Sequence, residues 1–100
     1  KVGEAVASGD ADFGVLVCGS GLGMEIAANK VNGVRAVQIM DTEMAKMSRM
    51  HNDANVITLP GRYIEHDVAD AIVDTFLATA FEGGRHQRRI DKISAIEHAE

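Results

Sequence analysis

A short apolar run followed at once by three closely spaced glycines limits the possible folds of this chain more than any other feature. Residues 13–18 are mostly apolar, and Gly19, Gly21 and Gly23 come directly after them. Such a run is typical of a buried strand in a parallel sheet. A glycine-rich loop between a strand and a helix points backbone N–H groups at an anion. We therefore predict an anion-binding loop at the carboxyl end of this strand.

The rest of the chain alternates between predicted strands and predicted helices. Further strands are predicted at residues 34–40 and 55–59, and helices at residues 24–30, 42–51, 65–80 and 85–99. This alternation, with short connections, predicts an α/β fold of three layers, α/β/α, around a parallel, Rossmann-like sheet. Three strands are few for this class, and residues 1–9 have the pattern of a helix end without an N-cap. We therefore expect the chain to lack the N-terminal part of its domain.

The composition is that of one small globular domain over residues 1–100. Apolar residues make up 46% and charged residues 25%, and no apolar run approaches the roughly 20 residues that a membrane-spanning helix needs. The net charge of −5 and the 4% of aromatic residues argue against nucleic-acid binding. The single cysteine cannot form an internal disulfide, which fits a cytoplasmic protein.

Cys18, the last residue of the first predicted strand, allows two interpretations. It is either a buried structural thiol, which is common for cysteine, or a general base whose thiolate is favoured by the helix N-terminus that follows. The glycines also allow a simpler interpretation, a tight turn that needs positive φ. Their spacing does not fit a dinucleotide-binding fingerprint, although Asp41 lies near the expected distance. Nucleotide binding therefore stays a weak alternative.

A second polar segment, His51 and Asn52 with the residues after them, ends the helix predicted at residues 42–51. The helix dipole favours a protonated His51 at that position, and Asn52 suits a left-handed cap. An ordinary polar helix end is the simpler interpretation. We expect the methionines of this segment to form core or a subunit interface rather than a cofactor site. They are Met40, Met44, Met47 and Met50.

A basic cluster follows a glycine pair near the end of the chain. Arg85 and Arg89 are four residues apart, so they share one face of the predicted helix. Two guanidinium groups on one face suit a phosphate, and Arg62, after the third predicted strand, is a further candidate. The alternative is a solvated basic face, but a cluster of this kind is more informative in a chain that is acidic as a whole.

Four segments in the same order resemble the ribose-5-phosphate isomerase B family, which has galactose-6-phosphate and allose-6-phosphate isomerases as relatives. The resemblance covers nearly the whole chain, which would be the C-terminal two-thirds of the family domain, without the first two strands of the family fold. The motifs are CGSGLG at residues 18–23, IAANK at 26–30, HNDAN at 51–55 and GGRHQ at 83–87.

The resemblance implies a sugar-phosphate isomerase that interconverts ribose 5-phosphate and ribulose 5-phosphate in the pentose phosphate pathway, with neither a metal nor another cofactor. Cys18 would move a proton between C1 and C2 through an enediolate. The amides between Gly19 and Gly23 would hold the developing oxyanion, and Ser20 would assist near the hydroxyl groups. Glu25 is a second, less favoured candidate for the base.

The resemblance also assigns roles to the polar and basic segments. His51 would help to open the sugar ring and Asn52 would bind a sugar oxygen, while Arg62, Arg85 and Arg89 would bind the phosphate. The resemblance further implies a homodimer with shared sites, so His51 and the arginines would act at the Cys18 loop of a partner; a tetramer is the alternative. The alternatives are a galactose-6-phosphate or allose-6-phosphate isomerase and a catalytically inert phosphate-binding fragment.

Overall fold

Three parallel strands form the central sheet of the computed structural model, which describes residues 1–99. Five helices surround the sheet in this part of the chain. In chain order the elements are α1 (Val2–Ser8), β1 (Gly14–Cys18), α2 (Leu22–Ala28), β2 (Ala36–Gln38), α3 (Thr42–Asn52), β3 (Val56–Pro60), α4 (His66–Ala78) and α5 (Arg85–Glu97). The predicted alternation of helices and strands is confirmed.

The strands lie in the order β1-β3-β2, with β3 in the middle. In this register Leu16, Thr58 and Gln38 are neighbours across the sheet, and their side chains share one face because side chains alternate along a strand. β3 is buried along its whole length, as a strand covered on both faces must be. All three strands end at the same edge of the sheet, which is therefore where loop residues from different strands meet.

Two separate apolar clusters cover the two faces of the sheet. One includes Ile57 and Leu59 of β3 together with Ile72 and Phe76 of α4. The other includes Val56 of β3 and residues of α1 and α2. A sheet with a core on each face and helices outside both cores is the predicted three-layer α/β/α arrangement.

Several element boundaries differ from the predicted ones. α2 begins at Leu22, so Gly23 lies in its first turn rather than in the loop. β2 is only three residues long. At its first residue, Ala36, both the N–H and the carbonyl form hydrogen bonds of 2.8 Å with the side-chain amide of Asn29. β3 includes Pro60, which pairs with Cys18. Pro60 is tolerated because it is the last residue of its strand.

Gly9 ends α1 in the left-handed conformation, with φ 88°, so residues 1–9 contain the helix end that their sequence predicted. Within residues 1–99, no helix combines the length and the apolar character needed to cross a membrane.

Candidate active site

The Cys18 thiol lies at the carboxyl end of β1, where the glycine loop begins. The N–H of Gly21 donates a hydrogen bond to Cys18 Sγ at 3.1 Å, and the carbonyl of Cys18 accepts one from Gly61 at 2.7 Å. The residue is only partly buried. Its sulfur is therefore held by the loop in a residue that is not fully buried, as expected for a reactive thiol.

The first two glycines have neighbouring side chains close to the position that a Cβ atom would occupy. A Cβ atom on Gly19 would lie 3.1 Å from Nε of Arg62, and one on Gly21 would lie 2.8 Å from Nε2 of Gln38. Gly21 also has a φ of 80°, which disfavours other residues. A Cβ atom on Gly23 would meet nothing within 4 Å, so this glycine keeps open space at the first turn of α2.

Arg62 belongs to the same cluster as Cys18. Its N–H donates to the carbonyl of Gly19 at 3.1 Å, and its guanidinium group lies against the Cα of that glycine. The side chain reaches the loop because β3, which ends just before Arg62, is the hydrogen-bonded neighbour of β1. In this chain the positive charge of Arg62 therefore acts at its own Cys18 loop rather than only at that of a partner.

Ser20 and Glu25 make local contacts around this loop. Ser20 Oγ accepts a hydrogen bond from the N–H of Leu22 at 3.4 Å. The carboxylate of Glu25 accepts one from the N–H of Gln38 at 2.6 Å. Since this bond ties α2 to β2, the structure gives Glu25 a structural contact, which weakens its case as an alternative base.

Two residues near the loop are not found by the sequence arguments. The side-chain amide of Gln38 donates to the carbonyl of Ser20. Thr58 is fully buried and its Oγ1 has no hydrogen-bond partner within the described residues, although it would lie 3.3 Å from a Cβ atom on Gly21. The only sequence signal for either is a polar residue late in a predicted strand, which becomes informative once the register of the sheet is known.

His51 and Asn52 are the last two residues of α3. The residue in the left-handed cap conformation is Asp53, with φ 46°, so the assignment of that position to Asn52 was wrong. Asp53 is held there by ion pairs with Arg49 at 2.7 Å and Arg35 at 3.3 Å. Because the cap is formed by Asp53, the side chain of Asn52 is not used in ending the helix.

The His51 ring stacks on the ring of His86, with centroids 4.3 Å apart and planes 16° from parallel. His86 lies between Arg85 and Arg89 in the sequence of α5, and both arginines are exposed. Neither forms an ion pair with any residue between 1 and 99. The predicted histidine and the two predicted helical arginines therefore lie together at one end of the molecule.

This second group lies at the opposite edge of the sheet from Cys18. The carbonyl of Asn55, which follows the end of α3, accepts a hydrogen bond from the N–H of Gly14, the first residue of β1, whereas Cys18 is the last residue of that strand. Four residue steps along a strand span about 13 Å. The predicted site residues therefore fall into two separate groups, which we call the thiol half, around Cys18, and the imidazole half, around His51.

A pocket of about 360 Å³ lies beside the imidazole half, between α5 and the amino edge of the sheet. Asn52 borders this pocket together with Arg35, and neither Cys18 nor His51 lines it. The pocket is mostly apolar because Ile93 and Ile96 form one wall. Its lining therefore does not resemble a site for a phosphorylated sugar.

Comparison with known proteins decides the family. A family model described as "Ribose/Galactose Isomerase" matches residues 1–93. The chain belongs to this family. The resemblance found from the four sequence motifs is thereby confirmed.

Named members of the ribose/galactose isomerase family are closely similar. "Ribose-5-phosphate isomerase B" of Escherichia coli is 47% identical over 97 residues, which are 97% of this chain and 65% of that protein. The structure of the Trypanosoma cruzi type B ribose 5-phosphate isomerase superposes with a TM-score of 0.97 at 53% identity, covering 99% of this chain and 67% of that one. The structure of the Mycoplasma genitalium ribose-5-phosphate isomerase B, solved with bound ribulose-5-phosphate, superposes with a TM-score of 0.94 at 43% identity. That match covers 99% of this chain and 66% of the other. The chain thus spans about two-thirds of the length of these isomerases.

Within this family, the four motifs have distinct structural functions in the chain. CGSGLG forms the thiol half, and HNDAN and GGRHQ meet in the imidazole half, where His51 contacts His86. IAANK ends α2, and its Asn29 fixes β2 through the two bonds to Ala36. Asn29 therefore has a purely structural role, whereas the other motifs supply groups capable of chemistry.

Proposed function

We propose that the protein is an aldose–ketose isomerase that interconverts ribose 5-phosphate and ribulose 5-phosphate. The observation that carries this proposal is the position of the Cys18 sulfur, which accepts the N–H of Gly21 in the same loop whose Gly19 lies against the guanidinium group of Arg62. A base, amide donors and a fixed positive charge are what proton transfer next to a carbonyl group requires. The membership in a ribose/galactose isomerase family supports the reaction class.

In the proposed reaction Cys18 removes the proton from C2 of the open-chain aldose and returns it to C1. The electron pair released at C2 forms the enediolate, whose negative charge lies on oxygen. Backbone N–H groups of the loop and Ser20 stabilise that oxygen, and a proton moves from O2 to O1 to complete the ketose. The amides and Arg62 supply the positive potential, so the proposed step uses neither a metal nor another cofactor.

The imidazole half completes the site from a second copy of the chain. We propose a homodimer in which His51 of one copy opens the sugar ring at the other copy's Cys18 loop, Asn52 binds a sugar oxygen, and Arg85 and Arg89 bind the phosphate with Arg62. Two observations support this arrangement. The halves lie at opposite edges of one sheet, and Met40 and Met44 are 51% and 54% exposed. Exposed apolar side chains of this kind are available for burial between two copies, and a tetramer would cover further surface.

The alternative substrates are the six-carbon phosphates of galactose and allose. The family description, which names galactose beside ribose, favours keeping galactose 6-phosphate as the second candidate. A non-catalytic phosphate-binding protein is the third. The proposed isomerase reaction belongs to the pentose phosphate pathway, in a reducing cytoplasm where the single thiol of Cys18 stays free.

An isomerase assay on the chain tests these candidates directly. Ribose 5-phosphate, galactose 6-phosphate and allose 6-phosphate are supplied separately, and formation of the ketose is followed. We expect the highest kcat/KM with ribose 5-phosphate. A higher kcat/KM with galactose 6-phosphate or allose 6-phosphate would make that six-carbon sugar the substrate instead. Saturable phosphate binding without turnover of any of the three would leave only the binding function.

A further inference from the structure

Three potential metal ligands converge in the imidazole half. His51 Nε2 lies 3.8 Å and His86 Nε2 lies 3.5 Å from the same carboxylate oxygen of Glu82, Oε1. One ligand atom from each residue falls within 4.8 Å of the other two. His86 is buried, His51 is partly buried and Glu82 is exposed, so the cluster opens to solvent on the side of its carboxylate.

The backbone holds the three residues together from separate segments. The N–H of Glu82 donates to the carbonyl of Met50 at 3.1 Å, which places Glu82 beside the end of α3. Gly83 and Gly84 then turn the chain with φ values of 75° and 60°. The turn starts α5 so that His86, four residues after Glu82, faces back toward the same carboxylate.

We propose that His51, Glu82 and His86 form a binding site for a divalent transition-metal ion of the Zn²⁺ class. Zn²⁺ binds nitrogen and oxygen ligands at about 2.0–2.2 Å, so tetrahedral ligand atoms stand about 3.3–3.5 Å apart. The two distances to Glu82 Oε1 are already within a few tenths of an ångström of that separation, and metal binding would turn the two stacked rings so that both Nε2 atoms point at the ion. Two histidines and one carboxylate leave the fourth position to water, as in other open zinc sites.

Some charges around the cluster favour a bound cation, and others oppose it. The carboxylate of Glu82 contacts both rings and favours a bound cation. Arg85 and Arg89 face the His86 ring with positive charge and oppose a cation. We therefore expect a reversible, exchangeable site rather than a permanent structural one.

Occupation of this site would inhibit the isomerase, and this consequence rests on the proposed function. A metal bound at Nε2 of His51 removes the nitrogen that the ring-opening step needs. The protein would then respond to free transition metal by losing activity on the cyclic sugar. The binding site itself does not depend on the reaction, so the two parts are separable by experiment.

Calorimetric titration of the chain with Zn²⁺ in a weakly coordinating buffer tests the site, and Co²⁺ absorption reports its ligands. We expect saturable binding of one ion for each chain and a Co²⁺ spectrum without a thiolate charge-transfer band. Glu82→Gln and His86→Asn should each weaken Zn²⁺ binding at least tenfold, or about 1.4 kcal/mol. His66→Gln and His98→Gln remove histidines outside the cluster, and Cys18→Ala removes the competing thiol. These three variants should bind Zn²⁺ as the parent does.

The opposite results would overturn the inference. Absence of saturable binding, or unchanged binding by both Glu82→Gln and His86→Asn with unchanged circular dichroism, would exclude the site. Loss of binding in Cys18→Ala alone would assign the metal to the thiol half. Inhibition that is relieved by a chelator and weakened in Glu82→Gln supports the consequence for catalysis. If Zn²⁺ binds without inhibiting an active enzyme, the metal site is supported and the proposed inhibition is overturned.

Discussion

A Cβ atom placed on Gly19 would lie 3.1 Å from Nε of Arg62, so the position of the arginine depends on the absence of a side chain at the glycine. The contact joins the loop after β1 to the turn after β3. It places the guanidinium group of Arg62 against Gly19, the residue that follows Cys18 in the sequence.

The Gly19→Ala substitution should therefore impair substrate binding through Arg62. The added methyl group displaces the guanidinium, and we expect KM for ribose 5-phosphate to rise about tenfold, the loss of roughly one charge-assisted hydrogen bond. Gly23→Ala is the matched control, since its Cβ atom meets nothing within 4 Å. Steady-state kinetics of both variants check this. An unchanged KM in Gly19→Ala would mean that the position of Arg62 does not affect substrate binding.

Thr58 offers a test of the buried face beneath the loop. Its hydroxyl group is fully buried without a partner in the described chain, so Thr58→Val removes an unsatisfied polar group and keeps the shape of the side chain. We expect the free energy of unfolding to rise by about 1 kcal/mol, measured by urea denaturation. Thr58→Ser, which keeps the hydroxyl and loses a methyl group, should be destabilised instead. A destabilised Thr58→Val variant would mean that the hydroxyl has a partner in solution.

The lowered pKa of His86 predicts a dependence of stability on pH. Burial, with His51 and Arg85, disfavours the protonated ring in the folded state, so below the ordinary histidine pKa the unfolded chain binds more protons. The free energy of unfolding should therefore fall as the pH is lowered from about 7 toward 5. Urea denaturation across this range measures the effect. The slope should decrease in His86→Asn and stay the same in His98→Gln; an unchanged slope in His86→Asn would contradict this origin.

The shared site predicts complementation between two inactive variants. Cys18→Ala removes the thiol half and His51→Ala removes the imidazole half, so each homodimer lacks function at both sites. After the subunits exchange, a mixed dimer has one site with neither substitution. We expect an equal mixture to recover about a quarter of the parent activity, because half of the dimers are mixed and half of their sites are intact. A mixture as inactive as its components would place each site within one chain.

Local sequence patterns were sufficient for much of the fold. The apolar run before Cys18 and the glycines after it predicted a strand, a loop and a helix, because these depend on neighbouring residues. The cap of α3 was less predictable, since Asn52 and Asp53 both tolerate the left-handed conformation. The choice between them depends on the ion pairs of Asp53 with Arg35 and Arg49, which join distant parts of the sequence.

The site was predictable as a set of residues and not as a geometry. Cys18, His51 and the arginines carry recognisable chemistry, but only the fold shows that Arg62 joins the thiol half and Arg85 the imidazole half. The contact of Glu82 with His51 depends on the hydrogen bond from Glu82 to Met50, and its contact with His86 depends on the turn at the glycine pair. No local pattern contains that information.

Removal of the thiol from Cys18 tests the central claim most directly. Cys18→Ala should lower kcat for ribose 5-phosphate at least about 100-fold, the usual contribution of a general base. Glu25→Gln is the matched control, because its amide oxygen keeps the bond to Gln38 while the alternative base is removed. We predict near-parent turnover in Glu25→Gln and loss of turnover in Cys18→Ala with unchanged circular dichroism. Turnover that survives in Cys18→Ala and disappears in Glu25→Gln would contradict the account.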